Sequence, residues 1–305
     1  MGPETTTATE VEGRHLVLTN LGKVLFPEAG LTKADVIDYY VRIAPVLLPH
    51  LAGRPVTFVR CPDGVGGGCF FEKRLPRGAP EWLRAINVPR SSRVDAPAIH
   101  APAIRAPEIA DLPSLVWAAN LAALELHVPL WRVRSPGERG PFDQMVFDLD
   151  PGPPATIVEC CAVAQVLVDV LAEKGLSTVR AKTSGKKGLQ LYAALEPPRI
   201  PESVREEAMR IARAAERDHR DLVVAKMRKD LRPGKVFIDW SQNVPAKTTV
   251  AAYSLRALAR PSVSTPVTMA EVAACAAGGD PHALRFGPEE VLARVERLGD
   301  LFDTG

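Results

Sequence analysis

The chain has 305 residues, of which 46% are hydrophobic and 24% charged, as in an ordinary globular protein that can bury a large core. Its net charge of +2 is too small to indicate a polyanionic partner by bulk charge, so any nucleic-acid surface must come from local clusters. The polar first 13 residues do not resemble a signal peptide, and no apolar run reaches the roughly 18 residues of a membrane span. Five cysteines without zinc spacing indicate reduced thiols. We therefore expect a cytoplasmic protein that contacts no membrane and is a monomer.

The elements follow from apolar periodicity, capping residues and turn residues. Residues 1–13 are predicted to form a flexible tail. In chain order we then predict a helix over 32–47, a strand over 55–60, a glycine-rich turn over 64–68, a proline-rich stretch over 76–113, a buried helix over 113–127, a strand ending at 150, a helix over 157–174, a hairpin with strands over 178–183 and 189–195, a helix over 203–220, a strand over 235–240, a short helix from 268 and a last helix over 288–302.

Helices alternate with strands that include a hairpin. This order predicts an α/β fold around a mixed α+β sheet, not a purely parallel one. We divide the chain into the tail over 1–13, an N-terminal α/β module over 14–112 and a core over 113–305, packed as one globular unit.

Two aspartates end an apolar strand. Asp148 and Asp150 share a face because side chains alternate along a strand, and they lie roughly 6.5 Å apart. Such a pair can bind two divalent ions in phosphoryl or nucleotidyl transfer. Alone the pattern is weak, since Asp-x-Asp often only caps a turn.

A glycine-rich turn joins the two hairpin strands at 183–188. The Ser184 hydroxyl and the backbone amides can bind a phosphate, which Lys187 can neutralise. The residue order is not that of a Walker loop. The alternative is an ordinary hairpin tip that carries lysines.

A third carboxylate, Asp239, ends a later strand and would complete a two-metal site. The alternative is a cap for the turn that follows. Basic residues precede it and can either be solvated or contact phosphates: Lys226, Arg228, Lys229, Arg232 and Lys235, with Arg256 further on.

Four motifs in this order resemble the polymerase domain of bacterial ligase D, a member of the archaeo-eukaryotic primase superfamily. They are Asp-Leu-Asp-Pro-Gly at 148–152, Thr-Ser-Gly-x-x-Gly-Leu at 183–189, Asp-Trp-Ser-Gln-Asn at 239–243 and Tyr-Ser-Leu-Arg at 253–256. Segments at 20–27, 31–33, 53–55 and 70–71 are also similar, so the resemblance covers about residues 15–270. No ligase or phosphoesterase module is recognisable, and a stand-alone member is expected.

The resemblance implies a primase-like catalytic core with the N-terminal module packed on it. The implied activity is template-directed addition of ribo- or deoxynucleotides to a primer 3′ end, in gap filling or double-strand break repair, by a two-metal mechanism. The implied ligands are DNA with gaps or break ends, nucleoside triphosphates, and two divalent ions, with Mn²⁺ preferred over Mg²⁺. Ku and a separate DNA ligase are candidate partners, and the cytoplasmic protein would be associated with the nucleoid.

The resemblance also assigns roles to residues of this chain. Two assignments have independent support: lysines flanking a helix N-terminus at Thr32 suit an anion, and aromatic faces beside a glycine turn suit base stacking, although core packing is the alternative there. The implied roles are metal binding and catalysis for Asp148, Asp150 and Asp239; nucleotide binding for Ser184, Lys187, Gln190, Arg256 and His127; binding of a DNA 5′-phosphate for Asn20, Lys23 and Lys33; and contact with template DNA for Phe70, Phe71 and Arg232.

The chain departs from the family pattern at two positions. Gln190 stands where the family usually has histidine, which predicts weaker triphosphate binding or an altered nucleotide preference, because an amide carries no positive charge. Leu258 stands where an arginine is frequent, and Arg260 is a candidate to replace that arginine from a shifted position. Two other functions stay open: a protein that binds 5′-phosphorylated DNA ends with little or no synthesis, and a metal-dependent phosphohydrolase.

Overall fold

A computed structural model of the chain describes residues 5–88, 103–135 and 138–303. The described helices are α1 Lys33–Leu51, α2 Leu112–Asn120, α3 Ile157–Glu173, α4 Pro201–Asp218, α5 Met269–Gly278 and α6 Pro288–Leu298. The described strands are β1 Thr6–Val11, β2 Arg14–Thr19, β3 Val24–Phe26, β4 Leu31–Thr32, β5 Thr57–Arg60, β6 Phe70–Glu72, β7 Ala85–Val88, β8 Ile104–Pro107, β9 Ala123–Val128, β10 Trp131–Ser135, β11 Glu138–Pro151, β12 Val179–Thr183, β13 Leu189–Arg199, β14 Val223–Val224, β15 Val236–Asp239, β16 Thr249–Val250, β17 Leu255–Arg256, β18 Ser262–Val263 and β19 Pro266–Val267.

A seven-stranded sheet forms the centre of the molecule. Its order is β14-β15-β11-β13-β12-β19, and β10 also pairs with β11. The β14–β15 pair is parallel and the other pairs are antiparallel, so the predicted mixed sheet is confirmed. Helices α3 and α4 pack against β11. Phe147 and Leu149 are fully buried and alternate along β11 with Asp148 and Asp150, so one face of the strand is apolar and the other acidic.

A second sheet, β16-β9-β5-β6, brings the N-terminal part of the chain to the core. Helix α1 begins with the predicted capping box of Thr32 and Asp35. The Tyr40 hydroxyl donates to Leu124 O at 2.7 Å, and the Tyr39 hydroxyl donates to Tyr253 O at 2.8 Å. These bonds join α1 to the second sheet and to the segment before β17. One continuous apolar cluster runs through both sheets.

Most predicted helices and strands are confirmed, but two predictions are wrong. Residues 6–11 are not a tail, because β1 pairs with β2 in antiparallel register; residues 1–4 lie outside the described part. The helix predicted over 113–127 ends at Asn120, and the residues from Ala123 onwards form strand β9 instead. Every residue of β9 is buried, so the segment has no polar alternation to distinguish it from a buried helix.

Two further predictions concern the cysteines and the domain boundary. The expectation that all cysteines are reduced is wrong, since Cys61 and Cys69 form a disulfide across the glycine-rich turn. The boundary at 112 stays a prediction, although β9 pairs with β5 across it. Much of the proline-rich stretch, at 89–102, lies outside the described residues. Among the described helices, none is long and apolar enough to cross a bilayer.

Candidate active site

The three predicted carboxylates come together on adjacent strands. Asp148 on β11 lies directly opposite Asp239 on β15, and opposite Gln190 on β13. Asp150 follows on the same face of β11, where its register partner is Phe237. Residues paired across antiparallel strands have Cβ atoms about 5 Å apart, so the three acids occupy one small area at the end of the sheet.

Desolvation in the cleft raises the pKa of Asp148 to about 7, and the neighbouring charges of Asp150 and Asp239 act in the same direction. The Gln190 amide opposes this shift by donating from Nε2 to Asp148 Oδ1 at 3.2 Å. Desolvation also raises the pKa of Asp150, against the nearby positive charge of Lys187. The site therefore crowds negative charge that a cation would stabilise.

The three acids have the donor chemistry of a divalent-cation site. Carboxylate oxygens are the ligands that Mg²⁺ and Mn²⁺ prefer, and the mutual repulsion of these acids fits such an ion. Asp239 also caps the turn that follows it, as the alternative interpretation predicted. Its oxygens accept from Ser241 N at 3.0 Å and from Gln242 Nε2 at 2.9 Å. In the described part of the chain, no three His, Cys, Asp or Glu side chains are gathered closely enough to hold an ion. The chemistry of the donor set nevertheless fits a divalent cation.

The predicted phosphate loop is a tight hairpin turn between β12 and β13. Ser184 Oγ accepts from Gly188 N at 3.1 Å, and Lys187 Nζ donates to Pro151 O at 3.1 Å, next to Asp150. Gly185 has a φ of +68°, and a Cβ there would lie 2.5 Å from Arg256 Cγ. Glycine thus lets the loop approach Arg256 closely. Lys187 is close enough to Asp150, and Arg256 to Asp148, for their charges to interact, while Ser184 bonds within the loop itself.

A buried carboxylate, Glu125, joins two of the predicted nucleotide-binding residues. His127 Nε2 donates to Glu125 Oε2 at 2.8 Å, and Arg256 Nε lies 3.4 Å from Glu125 Oε1, which also accepts from Ala257 N at 3.0 Å. Burial opposes ionisation, but the hydrogen bond from His127 and the charge of Arg256 outweigh it and lower the pKa of Glu125 to about 2. Burial lowers the pKa of His127, against the effect of Glu125.

The residues predicted to bind a 5′-phosphate meet at one turn. Lys23 N donates to Asn20 O at 2.9 Å and Lys33 N donates to Lys23 O at 2.8 Å, which holds the three backbones together. Lys23 Nζ is ion-paired with Asp63 at 2.7 Å. Lys33 is only 6% exposed, and its Nζ donates to Thr19 Oγ1 at 3.3 Å. A phosphate at Lys23 would therefore compete with Asp63.

The two predicted stacking residues lie on β6, at the edge of the second sheet. Phe70 is 47% exposed and Phe71 66% exposed, so the alternative of core packing is wrong. The Phe71 ring meets the ring of His127 edge-on at 5.7 Å, and the guanidinium of Arg60 lies 5.6 Å from the Phe70 ring centroid. Both phenylalanines thus offer exposed aromatic surface, and Phe71 lies close to the predicted nucleotide site.

Arg232, the predicted template contact, lies close to the acidic residues. Its guanidinium stacks at 3.7 Å on the ring of Phe237, the register partner of Asp150, and its Nη2 donates to Met227 O at 3.0 Å. Together with Lys187 it opposes the rise in the pKa of Asp150 that desolvation causes. Arg232 is therefore held beside the acidic cleft.

The motifs and the fold agree with comparisons to known proteins. The family model described as "LigD, primase-polymerase domain" matches residues 32–302. The chain belongs to this family. As a LigD primase-polymerase domain, it is 43% identical over 296 residues to the "Multifunctional non-homologous end joining DNA repair protein LigD" of Mycobacterium tuberculosis. The aligned residues cover 95% of this chain and 37% of that protein. It is 30% identical over 258 residues to the "Bifunctional non-homologous end joining protein LigD" of Bacillus subtilis, or 84% of this chain and 39% of that protein.

A solved structure confirms the fold. The chain matches the "Polymerase Domain from Mycobacterium tuberculosis Ligase D in complex with DNA" with a TM-score of 0.84 and 42% identity, over 94% of this chain and 96% of that one. The predicted α/β fold of a LigD polymerase domain is thereby confirmed. The chain spans little more than a third of the length of the full LigD proteins it matches.

The sequence interpretation missed two charged residues of this LigD domain. Glu125 is two positions before His127 on β9, a spacing that places both side chains on one face once the segment is read as a strand. Lys182 on β12 is 1% exposed and lies opposite Gln190. Burial lowers the pKa of Lys182 well below its ordinary value, and nearby Arg256 acts in the same direction while Asp148 opposes it. Nothing in the sequence marks this lysine, since it reads as a polar position on a hairpin strand.

Proposed function

We propose that this LigD primase-polymerase domain is a template-directed nucleotidyltransferase that adds nucleotides to a primer 3′ end in gap filling or double-strand break repair. The observation that carries the proposal is the strand register that brings Asp148, Asp150 and Asp239 together beside the phosphate loop. The names of the relatives, which are end-joining proteins, support the repair role.

Asp148, Asp150 and Asp239 would hold two divalent ions, with Mn²⁺ preferred. Such ions supply activation of the attacking 3′ oxygen and neutralise charge on the triphosphate. Lys187 lies next to Asp150 through its bond to Pro151 O, so its ammonium would neutralise charge on a triphosphate bound beside these acids. Ser184 and Arg256 line the same loop. Glu125 holds Arg256 and His127 in place for the incoming nucleotide.

DNA would extend from this cleft over the N-terminal sheet and the turn at Asn20. Exposed Phe71, close to His127, is placed to stack on a template base beyond the nucleotide. Lys23 and Lys33 would bind the 5′-phosphate of a downstream strand, and Arg232 would contact the template. The solved structure of the Mycobacterium domain is a complex with DNA, which supports a DNA ligand here.

Primer extension across a short gap tests the proposal. The assay uses a 5′-phosphorylated or unphosphorylated downstream strand, Mn²⁺ or Mg²⁺, and ribo- or deoxynucleotides. The Asp150→Asn variant should abolish templated extension. A matched control, Asp169→Asn, changes an exposed aspartate on α3 and should leave extension intact.

Two outcomes would replace the proposal with one of the alternatives. Phosphate-dependent DNA binding without extension under any condition would make the protein a DNA-end-binding protein. Release of inorganic phosphate without primer, lost in Asp150→Asn, would make it a phosphohydrolase.

A further inference from the structure

A row of hydrogen bonds crosses three strands behind the acidic cleft. Lys182 on β12 lies opposite Gln190 on β13, which lies opposite Asp148 on β11. Lys182 Nζ donates to Gln190 Oε1 and, at 2.8 Å, to Ser264 Oγ. Gln190 Nε2 donates to Asp148 Oδ1 at 3.2 Å. A lysine that is 1% exposed is thus connected to a predicted metal ligand through one amide.

Donor and acceptor chemistry favours one orientation of that amide. Lys182 Nζ donates to Ser264 Oγ, whose own hydrogen goes to Thr183 O, and it has a hydrogen left for the amide oxygen of Gln190 whether or not the amine is protonated. An ionised Asp148 only accepts, so the amide nitrogen faces Asp148. A flipped amide would lose both contacts. The hydroxyl of Tyr192, 3.3 Å from Gln190 Oε1, adds a second donor on the oxygen side.

Lys182 itself has a defined position. Ser264 Oγ donates to Thr183 O at 2.8 Å, so its hydrogen is committed and its lone pairs accept from Lys182. The lysine is therefore held between a fixed hydroxyl and the amide of Gln190.

We propose that Lys182 is a positioning residue: it fixes the amide of Gln190, which in turn holds Asp148 Oδ1 and leaves Oδ2 to bind a divalent cation. Among the described residues, none donates a hydrogen bond to Asp148 Oδ2. Outer-shell hydrogen bonds of this kind typically change metal affinity 10–100-fold. The inference rests on the proposed function only in taking Asp148 as a metal ligand.

The proposal gives a reason for glutamine at position 190. The amide presents an acceptor to Lys182 and a donor to Asp148 at any pH at which the protein is folded. An imidazole offers the same pair of functions only in its neutral form and only in one tautomer. Gln190 accordingly acts on the Asp148 carboxylate.

The dissociation constant of Mn²⁺, measured by electron paramagnetic resonance of the free ion without nucleotide or DNA, tests the proposal. Lys182→Met and Gln190→Met should each weaken Mn²⁺ binding about tenfold. The double variant should bind Mn²⁺ no more weakly than Gln190→Met alone, because both changes break one chain of contacts. Ser264→Ala, a smaller change that removes the other anchor of Lys182, should weaken binding severalfold even if Lys182→Met does not fold.

Arg180→Met is the matched control. Arg180 lies two positions before Lys182 on the same face of β12 and is 9% exposed, but its Nη1 donates to Phe302 O at 2.7 Å and makes no bond to Gln190. This variant should lower the melting temperature without changing the Mn²⁺ dissociation constant.

Three results would overturn the inference: unchanged Mn²⁺ binding in Lys182→Met and Ser264→Ala, additive losses of about a hundredfold in the double variant, or an equal loss in Arg180→Met. A protein that binds Mn²⁺ with the expected coupling but extends no primer would keep this inference and remove the proposed polymerase function.

Discussion

The acidic cleft on β11 and the basic turn at Asn20 both concentrate charge, yet they are built differently. In the cleft, strand register holds Asp148 opposite Asp239, and burial together with the neighbouring like charges raises the pKa of Asp148. In the turn, Lys23 is already paired with Asp63, whose side chain is 74% exposed. A site of crowded like charges gains from any ligand of opposite charge. In a site whose charges are already paired, a ligand only replaces an existing partner. Mutations there should therefore change ligand affinity only slightly.

The largest expected effect tests the cleft directly. Asp148→Asn should reduce primer extension roughly 10³-fold, since it removes a charge that stabilises the reacting groups. The same change should raise the melting temperature of the metal-free protein by about 2–4 °C, because it removes a repulsive carboxylate. Calorimetry with and without Mn²⁺ measures this, with Asp169→Asn as control. A lower melting temperature would show that the three carboxylates do not repel one another enough to destabilise the fold.

Glu125 should give the second-largest effect, a dependence of the free energy of unfolding on pH. Its folded-state pKa of about 2 lies below the ordinary 4.5, so the ionised form stabilises the fold. That contribution, on the order of 3 kcal/mol, is complete above about pH 4.5 and is lost as the pH falls towards 2. Urea unfolding from pH 6 to 3 should show a steeper loss for the wild type than for Glu125→Gln. Parallel pH curves would contradict the assignment.

The same variant should also weaken nucleotide binding about tenfold at pH 7.5, because the network that holds Arg256 and His127 loses a charged partner. Isothermal titration with a nucleoside triphosphate measures the change.

The exposed phenylalanine Phe71 on β6 should give a smaller effect, on DNA affinity. Phe71→Ala should weaken binding of gapped DNA about fivefold or more, since one stacked base is worth roughly 1–3 kcal/mol. The matched control is Ile200→Ala, another large apolar residue, 64% exposed on a different surface. Fluorescence anisotropy with single-stranded and gapped templates measures both variants, and equal losses would show that Phe71 contributes only general apolar surface.

The smallest effects belong to the basic turn and have opposite signs. Lys23→Ala should lower the preference for a 5′-phosphate two- to fivefold, while Asp63→Asn should raise it by a similar factor by releasing Lys23. Competition between phosphorylated and unphosphorylated ends at two salt concentrations measures this. Both effects should shrink at high salt. A fall in preference for both variants would mean that Asp63 supports the phosphate site.

Local patterns predicted the elements whose signals are carried by neighbouring residues. The capping boxes at Thr32 and Thr268 and the hairpin around Ser184 are confirmed. Patterns failed where neighbours distant in sequence decide the structure. Segment 123–128 is a strand because β5 and β16 flank it, and residues 6–11 are a strand because β2 pairs with them.

By itself, the sequence determined the acidic face of β11, the glycine-rich hairpin turn at 183–188 and the family, because each depends on residue types at short spacing. Only the tertiary structure decided that Asp239 lies opposite Asp148, that Glu125 joins His127 to Arg256, and that Lys182 reaches Asp148 through Gln190. These contacts depend on the register between strands. Register is set by the packing of whole sheet faces, which no short stretch of sequence encodes.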